Sequence, residues 1–152
     1  RLGPGDVVRK LGSCRLVTVA SPAYLARHGR PLRPADLAGH ECLAYTGDPN
    51  PGTWTYGTGE RTETVFVLSR LSANNGDMLA DAAARGLGIT LQPDFIAGPY
   101  LEDGRLEQVL EAFAPPELGV YALLPGTRHM PYRVRVLIDF LSERLRAAPA
   151  RA

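Results

Sequence analysis

Side chains able to do chemistry are few and scattered in this chain. The histidines are His28, His40 and His129, and the thiols are Cys14 and Cys42. None has metal-binding or redox spacing. Two of the histidines look like helix-end residues and one stands beside a turn, places where dipole complementation or solvation accounts for them. His40 and Cys42 alternate about Glu41 on a probable strand, so both could face one side, but two ligands without a third and fourth do not make a zinc site. Asp77 and Asp94 could be imagined as an acid/base pair, yet each is explained as a helix-start residue. The sequence holds no nucleophile elbow and no phosphate-cradling glycine loop. It therefore implies no catalytic residue, no metal and no cofactor. What remains is Asn74-Asn75, two asparagines at a turn, either reading a ligand or simply capping the next helix.

The elements that must position this pair run from Leu71 to Ile96, LSANNGDMLADAAARGLGITLQPDFI. A strand ends, Asn74-Asn75-Gly76 opens an alanine-rich helix, and Gly86-Leu87-Gly88 closes it before the apolar run Ile89 to Leu91. Asp77 suits the positive end of the helix dipole and Arg85 the negative end. Gly86 suits the left-handed position just past the helix. Leu79, Ala82 and Ala83 share a narrow apolar face, with Asp77, Asp81 and Arg85 on another. Strand, helix, strand in this order predicts a parallel crossover in an α/β sheet, whose strand-to-helix loops face a crevice.

Before this unit, residues 1–12 read as an irregular lead-in, finishing at most as an edge strand. Leu16 to Ala20 is a β-branched strand. Ser21 caps a helix with Pro22 at its first position and Gly29 just past its end, and a second short helix spans Pro34 to Gly39. Glu41 to Thr46 is a strand, followed by a turn-rich segment in which Trp54 and Tyr56 share one face of a short strand, the tryptophan ring lying as a lid on the core. Thr64 to Leu71 reads as one longer strand. Beyond it, Pro93-Asp94 opens a helix that Gly98-Pro99 is expected to break before Gly104. Leu106 to Leu110 is extended, Ala114-Pro115-Pro116-Glu117 is linker-like, and Gly119 to Leu124 is a strand. Tyr132 to Leu145 is a helix striped by Val134, Leu137, Ile138, Leu141 and Leu145.

The chain has 152 residues, enough for one core or two small lobes, and its 45% hydrophobic and 22% charged content is that of an ordinary globular protein. No run approaches the ~20 apolar residues of a membrane span. A net charge of +1 leaves no large electrostatic footprint for nucleic acid. Two thiols in no redox spacing suit a reducing cytoplasm.

Two stretches together are specific: ASPAYLARHGRPLRPADLAGHECL (Ala20 to Leu43) and ANNGDMLADAAARGLGITLQPDFI (Ala73 to Ile96). They resemble the effector-binding, or substrate-binding, domain of LysR-type transcriptional regulators, most of all the CrgA-like branch. VYALLPGTRHMPYRVRVLIDFLSERL (Val120 to Leu145) is similar to the last strand and helix of that family. The resemblance implies an α/β fold of the type 2 periplasmic-binding-protein kind, with the second lobe complete and the first only partly present. Residues 1–20 would be a first-lobe remnant and hinge strand, 21–116 the second lobe, and 117–152 the returning hinge strand and the C-terminal helix of the first lobe. Leu16 to Ala20 and Gly119 to Leu124 would be the hinge strands.

The same resemblance implies a small polar or anionic effector facing Ser21, the turn at Tyr45 and Thr46, Asn74, Asn75 and Pro93. DNA would be reached only through an N-terminal helix-turn-helix that this chain does not contain, so no DNA-binding residue is assigned. Arg1 in place of Met fits an excised piece, and the Gly98-Pro99 break departs from the family's continuous helix. The stripe on the last helix would pack on first-lobe strands outside this chain, so self-association is expected. A cytoplasmic, non-enzymatic sensor with no membrane partner is thus implied. A transporter's solute-binding protein is the alternative, and an enzyme such as a porphyrin-pathway deaminase would need a cofactor-bearing cysteine in a setting that neither Cys14 nor Cys42 has.

Overall fold

The computed structural model describes residues 7–48, 50–124 and 131–147. The chain runs through β1 (Val7–Cys14), β2 (Leu16–Ala20), α1 (Pro22–His28), a 3-10 helix at Pro34–Gly39, β3 (Cys42–Tyr45) and β4 (Thr53–Tyr56). After a second 3-10 helix at Gly59–Arg61 come β5 (Glu63–Phe66), β6 (Ser69–Ala73), α2 (Gly76–Ala84), β7 (Ile89–Pro93) and α3 (Asp94–Glu102). It finishes with β8 (Glu107–Val109), β9 (Leu118–Leu124) and α4 (Tyr132–Ala147). These elements form two units, one of residues 15–116 and one in which the N-terminal strand joins the segment from Glu117 onward.

The larger unit is built on a five-stranded sheet in the order β6-β3-β7-β2-β8. β3 runs parallel to β6 and β7, while β2 is antiparallel to β7 and β8. Helices α2 and α3 cover one face, over Val17, Val19, Leu43, Leu79, Ala80, Ala83, Ala97 and Leu106. On the other face Tyr24 of α1 and Leu37 pack with Trp54, Tyr56 and Val65 of the β4–β5 hairpin over Ala20, Cys42 and Ile89. A sheet covered on both faces needs strands apolar on both sides, which is why β2, β3 and β7 read as apolar runs. Trp54 and Tyr56 do share an inward face, and the tryptophan ring closes this second layer.

Leu16–Ala20 pairs on both edges inside the sheet, and the division between units falls after Cys14. Val17 to Ala20 are all buried, as a strand covered on both faces requires. Two expectations are corrected here. Thr64 to Leu71 is not one strand. β5 pairs with β4 and β6 with β3, and the chain changes sheets where the Val67 amide donates to Gly52 and the Leu68 carbonyl accepts from Cys42. Nor does Gly98-Pro99 break its helix, for α3 continues through both to Glu102. The clash that drives a residue before proline out of the helical region involves its Cβ, and Gly98 has none. Pro99 then forgoes one hydrogen bond, to the carbonyl of Phe95.

In the smaller unit β1 and β9 pair antiparallel, from Val7↔Leu124 to Cys14↔Leu118, with a bulge between Lys10 and Gly12. The lead-in is therefore a strand from Val7 onward, longer than the sequence suggests. α4 lies against β1, and Gly12 lets it approach: a Cβ there would stand 3.2 Å from Leu145 Cβ. Arg9 pairs with Asp139 at 2.7 Å and Ser13 donates to Glu117 at 2.9 Å. The apolar stripe splits. Ile138 and Ser142 are buried and Val134 half-buried, whereas Leu137, Phe140 and Leu141 face outward and Leu145, over Gly12, is only partly covered. A stripe this wide exceeds what a two-stranded ribbon can cover.

Candidate functional site

Strand direction decides which loops meet. Because β6, β3 and β7 are parallel, their carboxyl ends lie together at one end of the sheet, where a crevice forms in α/β folds. Tyr45 is in register with Ala73, and the Thr46 amide donates to the Ala73 carbonyl at 2.9 Å. Tyr45, Thr46, Asn74, Asn75 and Pro93 therefore gather at this end, where α2 and α3 also begin. Ser21 does not join them. β2 runs against β7, with Leu16 opposite Pro93 and Val19 opposite Thr90, so its carboxyl end meets the amino end of β7. There Ser21, buried, lies near Gly86, and its Oγ already accepts from the Tyr24 amide at 3.2 Å. In the structure the buried Ser21 hydroxyl caps α1, at the end of the sheet away from the other five residues.

The two asparagines have different duties. Asn75 is the N-cap: its Oδ1 accepts from the Met78 amide at 3.0 Å, and its carbonyl accepts from Leu79 at 3.3 Å. Asn74 is exposed and its carboxamide makes no hydrogen bond to the described residues. The amides of Gly76 and Asp77 likewise have no partner among the described residues. These donors are two of the four that every helix start leaves over. At the start of α3 the Asp94 amide is taken by the Arg15 carbonyl at 2.9 Å, and the Asp94 carboxylate stands 3.5 Å from Arg15 Nε. The Phe95 and Ile96 amides that follow have no partner among the described residues, so each of the two helix starts keeps two open donors. The far end of α2 is closed as its sequence predicts, with Gly86 at φ +81° and Arg85 paired to Asp81 at 2.8 Å.

The turn after β3 supplies a half-exposed aromatic wall. Tyr45 folds back over Gly47, where a Cβ would lie 2.7 Å from the ring Cζ. Sequence reasoning passed over Gln92. It is the residue before Pro93, its Nε2 donates to Thr90 Oγ1 at 2.8 Å, and its Oε1 sits under Gly76. The available signal was a carboxamide at the end of an otherwise apolar run.

At the opposite end lies a second polar group. Tyr24 Oη accepts from the Glu41 amide at 2.9 Å and is 3.2 Å from His40 Nδ1, while the Tyr24 ring stacks on His28 at 4.5 Å. Desolvation, then the nearby His28, holds His40 below the usual imidazole range. Burial pushes the Cys42 thiol up to about 12, so it stays protonated and is a poor ligand or nucleophile. His129 lies outside the described residues.

A mixed sheet with helices starting at the carboxyl ends of its parallel strands, preceded and followed by a strand pair carrying the last helix, is the architecture of type 2 periplasmic-binding-protein-like regulatory domains. The profile of the LysR substrate binding domain matches residues 2–146, and the chain belongs to that family. It is 37% identical over 142 residues to the HTH-type transcriptional regulator PtxR of Pseudomonas aeruginosa, covering 93% of this chain and 46% of that protein. The regulatory domain of CrgA, a LysR-type transcriptional regulator from Neisseria meningitidis, aligns with a TM-score of 0.79 at 30% identity, over 93% of this chain and 70% of its own. Full-length AphB, the Vibrio cholerae virulence activator, aligns with a TM-score of 0.77 at 33% identity, over 95% of this chain and 50% of its own. The chain spans about half the length of the curated relatives it matches. Among the described residues no helix is long and apolar enough to cross a membrane.

Proposed function

We propose that this domain senses a small polar or anionic effector for a cytoplasmic LysR-type transcriptional regulator, without catalysing a reaction. The observation that carries this reading is the meeting of the Tyr45–Thr46 turn, exposed Asn74 and the unpartnered amides of Gly76 and Asp77 at one end of the sheet. Amides at a helix start favour a negative or carbonyl oxygen. The exposed Asp77 carboxylate in the same turn offsets part of that field, so a single carboxylate fits better than a multiply charged phosphate. Asn74 would contact the effector directly, Asn75 would hold the turn in shape, and Tyr45, Thr46 and Pro93 would wall the site. DNA contact belongs to a helix-turn-helix in the intact regulator, and the outward row Leu137, Phe140 and Leu141 of α4 would be covered by self-association.

The test is a titration of the isotope-labelled 152-residue chain with small carboxylic acids and their neutral amides, followed by amide NMR. Shifts confined to Tyr45, Thr46 and Asn74 to Asp77, weakened by Asn74→Ala, are expected. Shifts clustered elsewhere, or indifferent to Asn74→Ala, would overturn the site. Light scattering over a dilution series tests the association, which a clean monomer at every concentration would refute.

A further inference from the structure

The apolar layer beneath α2 holds two polar side chains that packing alone does not require. Thr90 and Gln92 of β7 are opposite Val19 and Val17 of β2, and both are buried, Gln92 to 1% exposure. An apolar residue at 92 would complete that layer without a carboxamide to satisfy. The orientation of the carboxamide is fixed by its neighbour. Thr90 Oγ1 donates its one proton to the Leu43 carbonyl at 3.1 Å, so toward Gln92 it can only accept. The nitrogen of Gln92 must therefore face Thr90, at 2.8 Å, and the oxygen must point away. It points at the start of α2, where Oε1 would stand 2.8 Å from a Cβ on Gly76. Oε1 accepts no hydrogen bond, yet no sealed polar atom among the described residues lacks a partner. The oxygen consequently reaches the surface at the first turn of α2, next to the unpartnered Gly76 and Asp77 amides. Glycine at 76 is what permits this, since any side chain would strike both Gln92 and Ile96 Cδ1, the latter at 2.7 Å.

Resting on the proposed effector site, we propose that Gln92 sets its specificity, selecting small carboxylic acids that carry a hydroxyl or amino donor on the carbon next to the carboxylate. The carboxylate would accept from the Gly76 and Asp77 amides, and the neighbouring donor would meet Oε1. An acid lacking that donor would cover the oxygen without meeting it, which is how a hydrogen-bonding site rejects a near-isostere.

The experiment uses matched acids, lactate against propionate and malate against succinate, titrated into the labelled 152-residue chain. Wild type should bind the hydroxy acid roughly three- to tenfold more tightly than its partner. Gln92→Leu should bring the ratio to about one, and Thr90→Val, which frees the carboxamide to turn, should reduce the ratio with Gln92 still present. The amide spectrum of each variant reports that it is folded, and the Thr90 variant carries the test if Gln92→Leu is not. Equal affinities in wild type with shifts at Asn74 to Asp77, or a preference that survives both variants, would overturn the role of Gln92 and leave the site standing. No binding of either acid at millimolar concentration would overturn both.

Discussion

The cap at Asn75 allows two neighbouring asparagines to be told apart by measurement. Replacing an N-cap asparagine with alanine costs ~0.5–2 kcal/mol, typically about 1. In α2 fraying cannot absorb that cost, because Leu79, Ala80 and Ala83 are fully buried against the sheet and anchor the first turn from its carboxyl side. Asn75→Ala should therefore lose about 1 kcal/mol, read as a fall of about 4–8 °C in Tm for a unit the size of residues 15–116. Asn74, exposed and without a hydrogen bond to the described residues, should stay within about 0.5 kcal/mol of wild-type stability when changed to alanine. The informative third variant is Asn75→Asp. It keeps an oxygen at the cap and adds a negative charge at the positive end of the helix, worth ~0.3–1 kcal/mol, so stability should hold or rise. The same charge beside the Gly76 and Asp77 amides should weaken binding of any carboxylate. Differential scanning calorimetry gives the first quantity and NMR titration the second. If Asn74→Ala destabilises as much as Asn75→Ala, or if Asn75→Asp falls with Asn75→Ala, the division of labour between the two asparagines is wrong.

Other residues give sharp expectations. Thr18 Oγ1 and Tyr56 Oη are 2.9 Å apart and buried, so Tyr56→Phe should cost ~1–3 kcal/mol in urea denaturation by stranding the threonine hydroxyl, and adding Thr18→Val should recover most of it. With its thiol near 12 and its side chain buried, Cys42 should resist alkylation at pH 8 in the folded chain and react only on denaturation, while half-buried Cys14 reacts first, as peptide mass spectrometry would show. His40 is held below its ordinary value by burial, so the unfolded chain binds its proton more readily. The stability that neutral His40 contributes is present above about pH 6.5 and is lost as pH falls through its folded value. Tm followed from pH 7.5 to 5 should drop more steeply in wild type than in His40→Asn, whose oxygen can still accept from Tyr24; parallel curves would refute the assignment.

What could be read in advance, and what could not, divides by the range of the interaction. A cap within Asn74-Asn75, the first-turn Asp77, the close at Gly86 and the Ser21–Pro22 start of α1 are all decided by residues within a turn of one another, and the structure places the cap at Asn75 and the others where their neighbours imply. The inward face shared by Trp54 and Tyr56 is equally local, since alternation along a strand needs no partner to be stated. Ser21 shows the other case. Its capping role was legible, but its place at the end of the sheet away from Asn74 depends on β2 running against β7, and nothing between Leu16 and Ala20 encodes direction. Val65, Phe66 and Val67 form an unbroken β-branched and aromatic run, so the change of sheet after Phe66 became visible only through its partners, Gly52 on one side and Cys42 on the other. Gln92 combines both kinds. That a carboxamide ends an apolar run is plain in the sequence. That it lies opposite Val17, under the first turn of α2, is a consequence of pairing with a strand far upstream, and it is this placement that turns a polar residue in a core into an acceptor facing the candidate site.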